Sequence, residues 1–365
     1  MQETKGVKTN MPNPMMLQER ISKVSRAMES MKNTSINEQF PIGLIDIHLW
    51  EWPQGVGLYG LLQLYDATKD AEVLEFLELW YNARLMEGLP EKNVNTCAPL
   101  LTLISLCELT GNQEYEHVCE EWSSWIMNGL LRTGDGAFQH MITGDANDGQ
   151  ILIDTLFMTV LFLAKAGVYF KKPDLVEEAK RQFLVHIKYL YNKRTGLFYH
   201  GWDFNENHNY GAVHWGRGNA WYTAGVMDFL NIIPIEDGLK SYLLDTATAQ
   251  VRALSKLQDE DGMWHTVLDD PDSYKETSAT AAIGYGILKG IRYGYLDESY
   301  RQTGLRALEA VLKQIDDKGV VQQVSYGTPV GQDAQFYKDI PLSPMGYGQA
   351  LTLFILIEGL HTSAS

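Results

Sequence analysis

One acid, Asp154, stands inside the apolar run "GQILIDTLFMTVLFLAKAG". Burying a lone carboxylate costs several kcal/mol in practice, so its presence there asks for a use. Apolar neighbours raise a carboxyl pKa by desolvation, while a helix N-terminus lowers it. Where desolvation wins, the acid holds a proton near neutral pH and can donate it. The plainer use is an N-cap, with the carboxylate accepting the free amides of a first helical turn; the two uses are compatible. His140 and His200 each follow a glycine by four residues, in the matching segments "GDGAFQH" and "RTGLFYH". A lone histidine is usually structural, but two at matched positions are candidates for one site. His265 falls one residue earlier in its own segment, so it is expected on the opposite face of its strand. The histidines lie far apart in sequence with no metal-ligand spacing, and no metal or other cofactor is expected.

The most distinctive stretch is "HWGRGNAW", which sets Arg217 between two glycines and between Trp215 and Trp221. Tryptophan faces stack on sugar rings, and a guanidinium grips a carboxylate through two parallel hydrogen bonds. With its backbone uncrowded, Arg217 is expected to reach outward, and the set suits a uronic acid. The bland alternative is a glycine-loosened helix start with core tryptophans. Further polar and aromatic candidates are Asp46, His48, Trp50 and Trp52 in "DIHLWEWPQGVGLYG", and Asn93 and Asn95 in "KNVNTCAP". Neither a G-x-S-x-G nucleophile elbow nor a glycine-rich phosphate loop is present.

These residues need elements to gather them, and a repeat supplies those elements. Four segments, "GDGAFQH", "RTGLFYH", "EDGMWHT" and "DKGVVQQ", place a glycine (Gly136, Gly196, Gly262, Gly319) where a tight turn needs positive φ. An amphipathic helix pattern precedes each, as in "PDLVEEAKRQFLVHIKYLYN", and a smoother apolar helix follows after a loop. The smooth helices start near Gly55, Cys97, Asp154, Gly218, Ser278 and Met345. Helices apolar nearly all round are buried; amphipathic ones form an outer layer. Six of each in alternation close into a double ring, an all-α (α/α)6 six-hairpin barrel with short β-hairpins in its loops. Every inner helix then begins at one end, and the candidate residues converge on one mouth.

No linker divides the 365 residues, so one domain spanning 1–365 is expected, with 1–15 a flexible or peripheral segment. A formal charge of -16 excludes nucleic acid and anionic membrane as partners, since both demand basic patches. The three cysteines lack metal spacing and read as reduced thiols, and the polar start shows no apolar signal core. The expectation is a cytoplasmic monomer or small homo-oligomer acting on a small oligosaccharide.

Taken together, "IDTLFM", "WGRGNAW", "FYHGWD" and "ETSATAAIGYGILKG" resemble the unsaturated rhamnogalacturonyl hydrolases, glycoside hydrolase family 105, over nearly the whole chain. The resemblance implies the six-hairpin barrel, no metal and a cytoplasmic location. It also implies removal of a terminal 4,5-unsaturated galacturonic acid from rhamnogalacturonan fragments left by a pectin lyase. Asp154 is then the acid that protonates carbon 4 and helps water add at carbon 5. His140 and His200 become pocket histidines, and Trp215, Arg217 and Trp221 the sugar-binding set; Asn95 and Trp50 are further candidate substrate contacts by their own type and place at the mouth. One departure stands out: the related unsaturated glucuronyl hydrolases, and some members of the family itself, carry a second Asp where "KNVNTCAP" offers only asparagines, which do not titrate. The alternatives are an unsaturated glucuronyl hydrolase, a sugar 2-epimerase using the two histidines on a similar barrel, and a sugar-binding protein without turnover.

Overall fold

A computed structural model describes residues 11–32, 46–142 and 147–363. Residues 1–10, most of the expected N-terminal segment, lie outside it. The helices run α1 (Pro14–Glu29), α2 (Trp52–Thr68), α3 (Ala71–Glu87), α4 (Leu100–Thr110), α5 (Gln113–Asn128), α6 (Leu161–Tyr169), α7 (Pro173–Leu190), α8 (Gly216–Ile232), α9 (Asp237–Leu257), α10 (Thr277–Arg292), α11 (Arg301–Leu312), the short α12 (Ala334–Lys338) and α13 (Gly346–Ser363). The N-terminal boundary expected at residue 15 falls inside α1, whose first turn is capped by Asn13.

Inner and outer helices alternate as their composition dictates. In α13 every residue from Gly346 to Gly359 is buried, so no face is left for water. In α7 burial follows one stripe through Leu175, Ala179, Phe183, Ile187 and Leu190, the i, i+4 spacing of a helix with a single apolar face. Around the inner ring α2, α4, α6, α8, α10 and α13 each pack on the next, and α13 packs on α2. The outer helix α1 packs on α13, joining the first hairpin to the last.

The four repeated glycines all have positive φ, at 77°, 79°, 90° and 86°. Each sits in a turn wedged toward the following outer helix. At Gly319 a side chain would strike the Lys23 carbonyl of α1, so ring closure itself requires glycine there.

The short strands are β1 (Gln150–Leu152), β2 (Tyr191–Asn192), β3 (Leu197–Phe198), β4 (Gly201–Asp203), β5 (Trp264–His265) and β6 (Lys275–Glu276). They pair antiparallel as β1 with β4, β2 with β3, and β5 with β6. Farther along the inner helices a buried cluster is built on Asp228 of α8, whose Oδ1 accepts from Tyr285 at 2.7 Å and pairs with Lys289, both on α10. Among the described residues no helix is long and apolar enough to cross a membrane.

Candidate active site

Backbone pairing assembles the titratable groups. In β1, the Gln150 carbonyl accepts the His140 amide at 2.8 Å, and the register Leu152 opposite Gly201 brings β4 alongside. The Ile153 amide then donates to the His200 carbonyl at 3.0 Å. His140, Asp154 and His200, scattered over three loops, are therefore neighbours because one strand is held on both sides.

Asp154 does not cap a helix with its side chain, contrary to the plainer sequence reading. The next turn, Leu156–Val160, is π-helical, and only the Asp154 carbonyl is engaged there, by the Phe157 and Met158 amides at 3.0 Å. Such turns recur at functional sites. The carboxylate projects instead toward His200, with Oδ2 3.5 Å from Nε2. Both of those atoms are buried and lack a hydrogen-bond partner. Burial pushes the Asp154 carboxyl up, but His200, then His140 and Arg217, outweigh it and hold the group below its ordinary value. Of the opposing effects weighed from the sequence, desolvation does not win: His200 first, then the other neighbours, favour the carboxylate.

His140 sets Nδ1 2.9 Å from the Thr155 hydroxyl. Burial draws its pKa down to about 4, so its ring is neutral at pH 7. His200 lies against the Trp215 ring at 4.2 Å and places Nδ1 2.7 Å from the Tyr337 hydroxyl. His265 faces elsewhere, toward Asp259 and the Ser273 carbonyl.

Asp154 opens into a cavity of about 160 Å³ whose wall includes Trp52, Asn95, His140, Trp215, Arg217 and the segment from Thr328 to Val330. Two larger hollows, about 410 Å³ each, one between α1, α3 and the ends of α2 and α13, the other between the Gly196 turn and α9, hold none of these groups. The smaller cavity is the chemical one because buried titratable groups converge there.

Arg217 does not reach outward. It is 1 % exposed, lies between the Trp215 and Tyr347 rings at 4.7 Å from each, and donates to Ser325, the Tyr326 carbonyl and the Thr328 hydroxyl. Its flanking glycines serve packing: a side chain at Gly216 would meet the His265 carbonyl, and one at Gly218 the Trp215 ring. The Glu276 carboxylate is 4.0 Å away, but it is committed to capping α10 at Ser278 and Ala279. What Arg217 keeps free is Nε–H, buried without a partner.

Two expected sugar contacts are displaced. Trp50 points away from the cavity, donating Nε1 to the Thr96 carbonyl at 2.8 Å and stacking on Trp80. Its near neighbour Trp52 takes the wall position, stacked on Tyr347. Trp221 is fully buried, edge-on to Trp52 and against Phe157; four positions beyond Arg217 it lies on the same side of α8 but one turn deeper, below the cavity wall. Asn95 does line the cavity, whereas Asn93 is spent on the amides of Asn95 and Thr96. Tyr337 and Thr328, both in contact with site residues, carry no signal in the sequence because they lie in the stretch between the fourth repeat turn, at Gly319, and α13, where no repeat pattern runs.

Residues 23–363 match the profile of Glycosyl Hydrolase Family 88. The "Unsaturated rhamnogalacturonyl hydrolase YesR" of Bacillus subtilis (strain 168) is 34% identical over 316 residues, 86% of this chain and 90% of that protein. A crystal structure from Klebsiella pneumoniae subsp. pneumoniae MGH 78578, of a possible member of glycoside hydrolase family 105, matches with a TM-score of 0.93. The match is at 39% identity and covers 97% of this chain and 95% of that one. A crystal structure from Salmonella enterica subsp. enterica serovar Paratyphi A str. ATCC 9150, also of a possible member of that family, matches with a TM-score of 0.93 at 40% identity, over 97% and 96% of the two chains.

Proposed function

From the premise that the chain belongs to glycosyl hydrolase family 88, we propose that it removes the terminal 4,5-unsaturated galacturonic acid from rhamnogalacturonan-derived oligosaccharides, with Asp154 as the proton donor and acceptor. The observation that carries this reading is the solitary acid: among the described residues lining the cavity, Asp154 is the one carboxylate. Ordinary glycosidases need two carboxylates across the scissile bond. Hydration of a ring double bond needs one group that first gives a proton and then takes one.

The site residues divide the work as follows. Trp52 and Trp215 offer faces to the sugar, Asn95 a hydrogen bond, and Arg217 its unpartnered Nε–H to the uronate carboxylate. That carboxylate brings a second negative charge into a buried space beside Asp154, and like charges raise a carboxyl pKa, so Asp154 takes up a proton as the substrate enters. Asp154 passes this proton to carbon 4, and the electron deficit is shared by carbon 5 and the ring oxygen. Water then adds at carbon 5 while giving a proton back to the Asp154 carboxylate, forming a hemiketal. Its carbon 5–ring oxygen bond breaks to leave a ketone, and collapse of the resulting hemiacetal at carbon 1 expels the neighbouring sugar. The net consumption is one water.

A 2-epimerase would need both histidines free to exchange protons with a sugar, yet His200 has Tyr337 at one nitrogen and Asp154 beside the other. We place the enzyme in the cytoplasm as a monomer or small homo-oligomer; its three buried, unpaired cysteines fit a reducing compartment. The test follows the ultraviolet absorbance of the conjugated double bond in lyase-generated rhamnogalacturonan disaccharide, with wild type beside Asp154→Asn. Loss with wild type alone is expected. Loss with both removes Asp154 as the acid, and loss with glucuronyl substrates alone moves the substrate class.

A further inference from the structure

The wall of the cavity opposite β1 comes from the connection between α11 and α13. That connection also carries Tyr337, which is 137 residues from His200 in sequence and 2.7 Å from its Nδ1. The Tyr337 side chain is anchored without any substrate. Its hydroxyl oxygen accepts the Gly331 amide at 3.1 Å, its carbonyl accepts from the Tyr274 hydroxyl at 3.3 Å, and the neighbouring Lys338 pairs with Asp270 at 2.9 Å.

Hydrogen accounting around this tyrosine has one solution. Tyr337 is 1 % exposed, and a buried hydroxyl hydrogen needs an acceptor. The Gly331 amide already donates to the oxygen, so the phenolic hydrogen goes to the acceptor in reach, Nδ1 of His200. A neutral imidazole that accepts at Nδ1 carries its hydrogen on Nε2. That Nε2 is 3.5 Å from Oδ2 of Asp154, and both of these buried atoms lack a hydrogen-bond partner. The opposite tautomer would strand the phenolic hydrogen and set a nitrogen lone pair against a carboxylate oxygen. At 3.5 Å the pair is aligned rather than bonded, and closing it needs only a small shift. Among the described residues, other charged or titratable groups facing this triad are His140 and Arg217 on the Asp154 side, with Glu276 beyond the arginine, and Tyr210 on the Tyr337 side.

Building on the reaction proposed above, we infer that Tyr337 is a positioning residue: it fixes the His200 tautomer that aims an N–H at Oδ2 of Asp154. The two carboxylate oxygens are thereby made unequal. Oδ2 is buried against His200, and Oδ1 is the oxygen that gives its proton to carbon 4 and takes one back from water.

The test uses the intact protein labelled with ¹⁵N in its histidines, the His200 signals being identified by their absence in His200→Gln. The expected spectrum of the wild type has hydrogen on Nε2 and none on Nδ1; hydrogen on Nδ1 overturns the inference, whatever substrate the enzyme proves to use. For Tyr337→Phe, which removes only the hydroxyl, we expect both tautomers in the spectrum. Its kcat should fall about tenfold to a hundredfold with KM little changed, and the alkaline limb of its kcat/KM profile, where Asp154 gives up the proton it must donate, should move to higher pH as the carboxylate loses an oriented donor. A variant that melts with the wild type yet keeps the wild-type kcat and pH profile overturns the inference equally. Wild-type inactivity on every uronate would sink the proposed reaction and leave the tautomer to the spectrum.

Discussion

Two buried acids, Asp154 and Asp228, lie on the same barrel and meet opposite fates. Asp228 sits in the eleventh position after Arg217 on α8, roughly 16 Å farther from the mouth at 1.5 Å per residue. There one oxygen takes both the Lys289 ammonium and the Tyr285 hydroxyl. Asp154 has no cation in contact, a histidine held at 3.5 Å, and an open cavity in front. The first acid is neutralised by its own protein; the second is left for something that arrives. Where a buried charge has a committed partner, it specifies packing, and where the partner is absent, it is available for chemistry.

The comparison can be broken most sharply by exchanging amide for acid at each place. Asp154→Asn is expected to lower kcat by about 10³-fold while leaving the melting temperature unchanged, read by loss of double-bond absorbance and by thermal denaturation. Asp228→Asn should do the reverse, stranding a buried Lys289 charge at a cost of about 3–5 kcal/mol in denaturant titration, with activity per folded molecule retained. If Asp228→Asn instead abolished turnover at full stability, the division between the two acids would be wrong.

A pH experiment sharpens the same contrast. His140 beside the cavity and His186 in α7 are both drawn down to about 4 by burial. Because the unfolded chain binds protons near pH 6.5 and the folded one does not, stability is full above 6.5 and falls as pH drops toward 4. A displacement of this size corresponds to about 3 kcal/mol per histidine at most. Denaturant midpoints measured across this window should fall with acidity, and His186→Gln should flatten the slope without changing KM.

The smallest effects separate the two neighbouring tryptophans. Trp52→Ala is expected to raise KM by about tenfold, near 1.4 kcal/mol. Trp50→Phe should leave KM alone and lose about 1 kcal/mol of stability with the hydrogen bond to Thr96.

Much of this was legible in the chain before any coordinates. The alternation of all-round apolar and one-faced helices dictates the double ring, because only burial on every side suits a helix such as α13. The matched glycine-to-histidine spacing places His140 and His200 at one mouth, since equivalent turns enter equivalent strands. Asn95, Trp215 and Arg217 likewise fall on the cavity wall by their place at helix starts. What was not legible depends on direction and on distant partners. Trp50 and Trp52 differ by two residues at a helix entrance, and nothing in their spacing says which ring turns inward. The hold on Arg217 comes from Ser325 to Thr328, more than a hundred residues away and outside the repeat. The ionised state of Asp154 follows from a balance of burial against three neighbours, and no local pattern carries its sign.

The packing of α1 on α13 bears on how the molecule is made. A closed ring has its first and last hairpins as neighbours, so contacts of the longest sequence separation are the last to form, and such topologies fold slowly. During synthesis at about 5–20 residues per second, α1 is exposed for roughly 20–70 s before the helix that covers it has emerged. The same late segment supplies the cavity wall and Tyr337, so a ribosome-bound chain lacking it has every acid and histidine of the site and no enclosure around them.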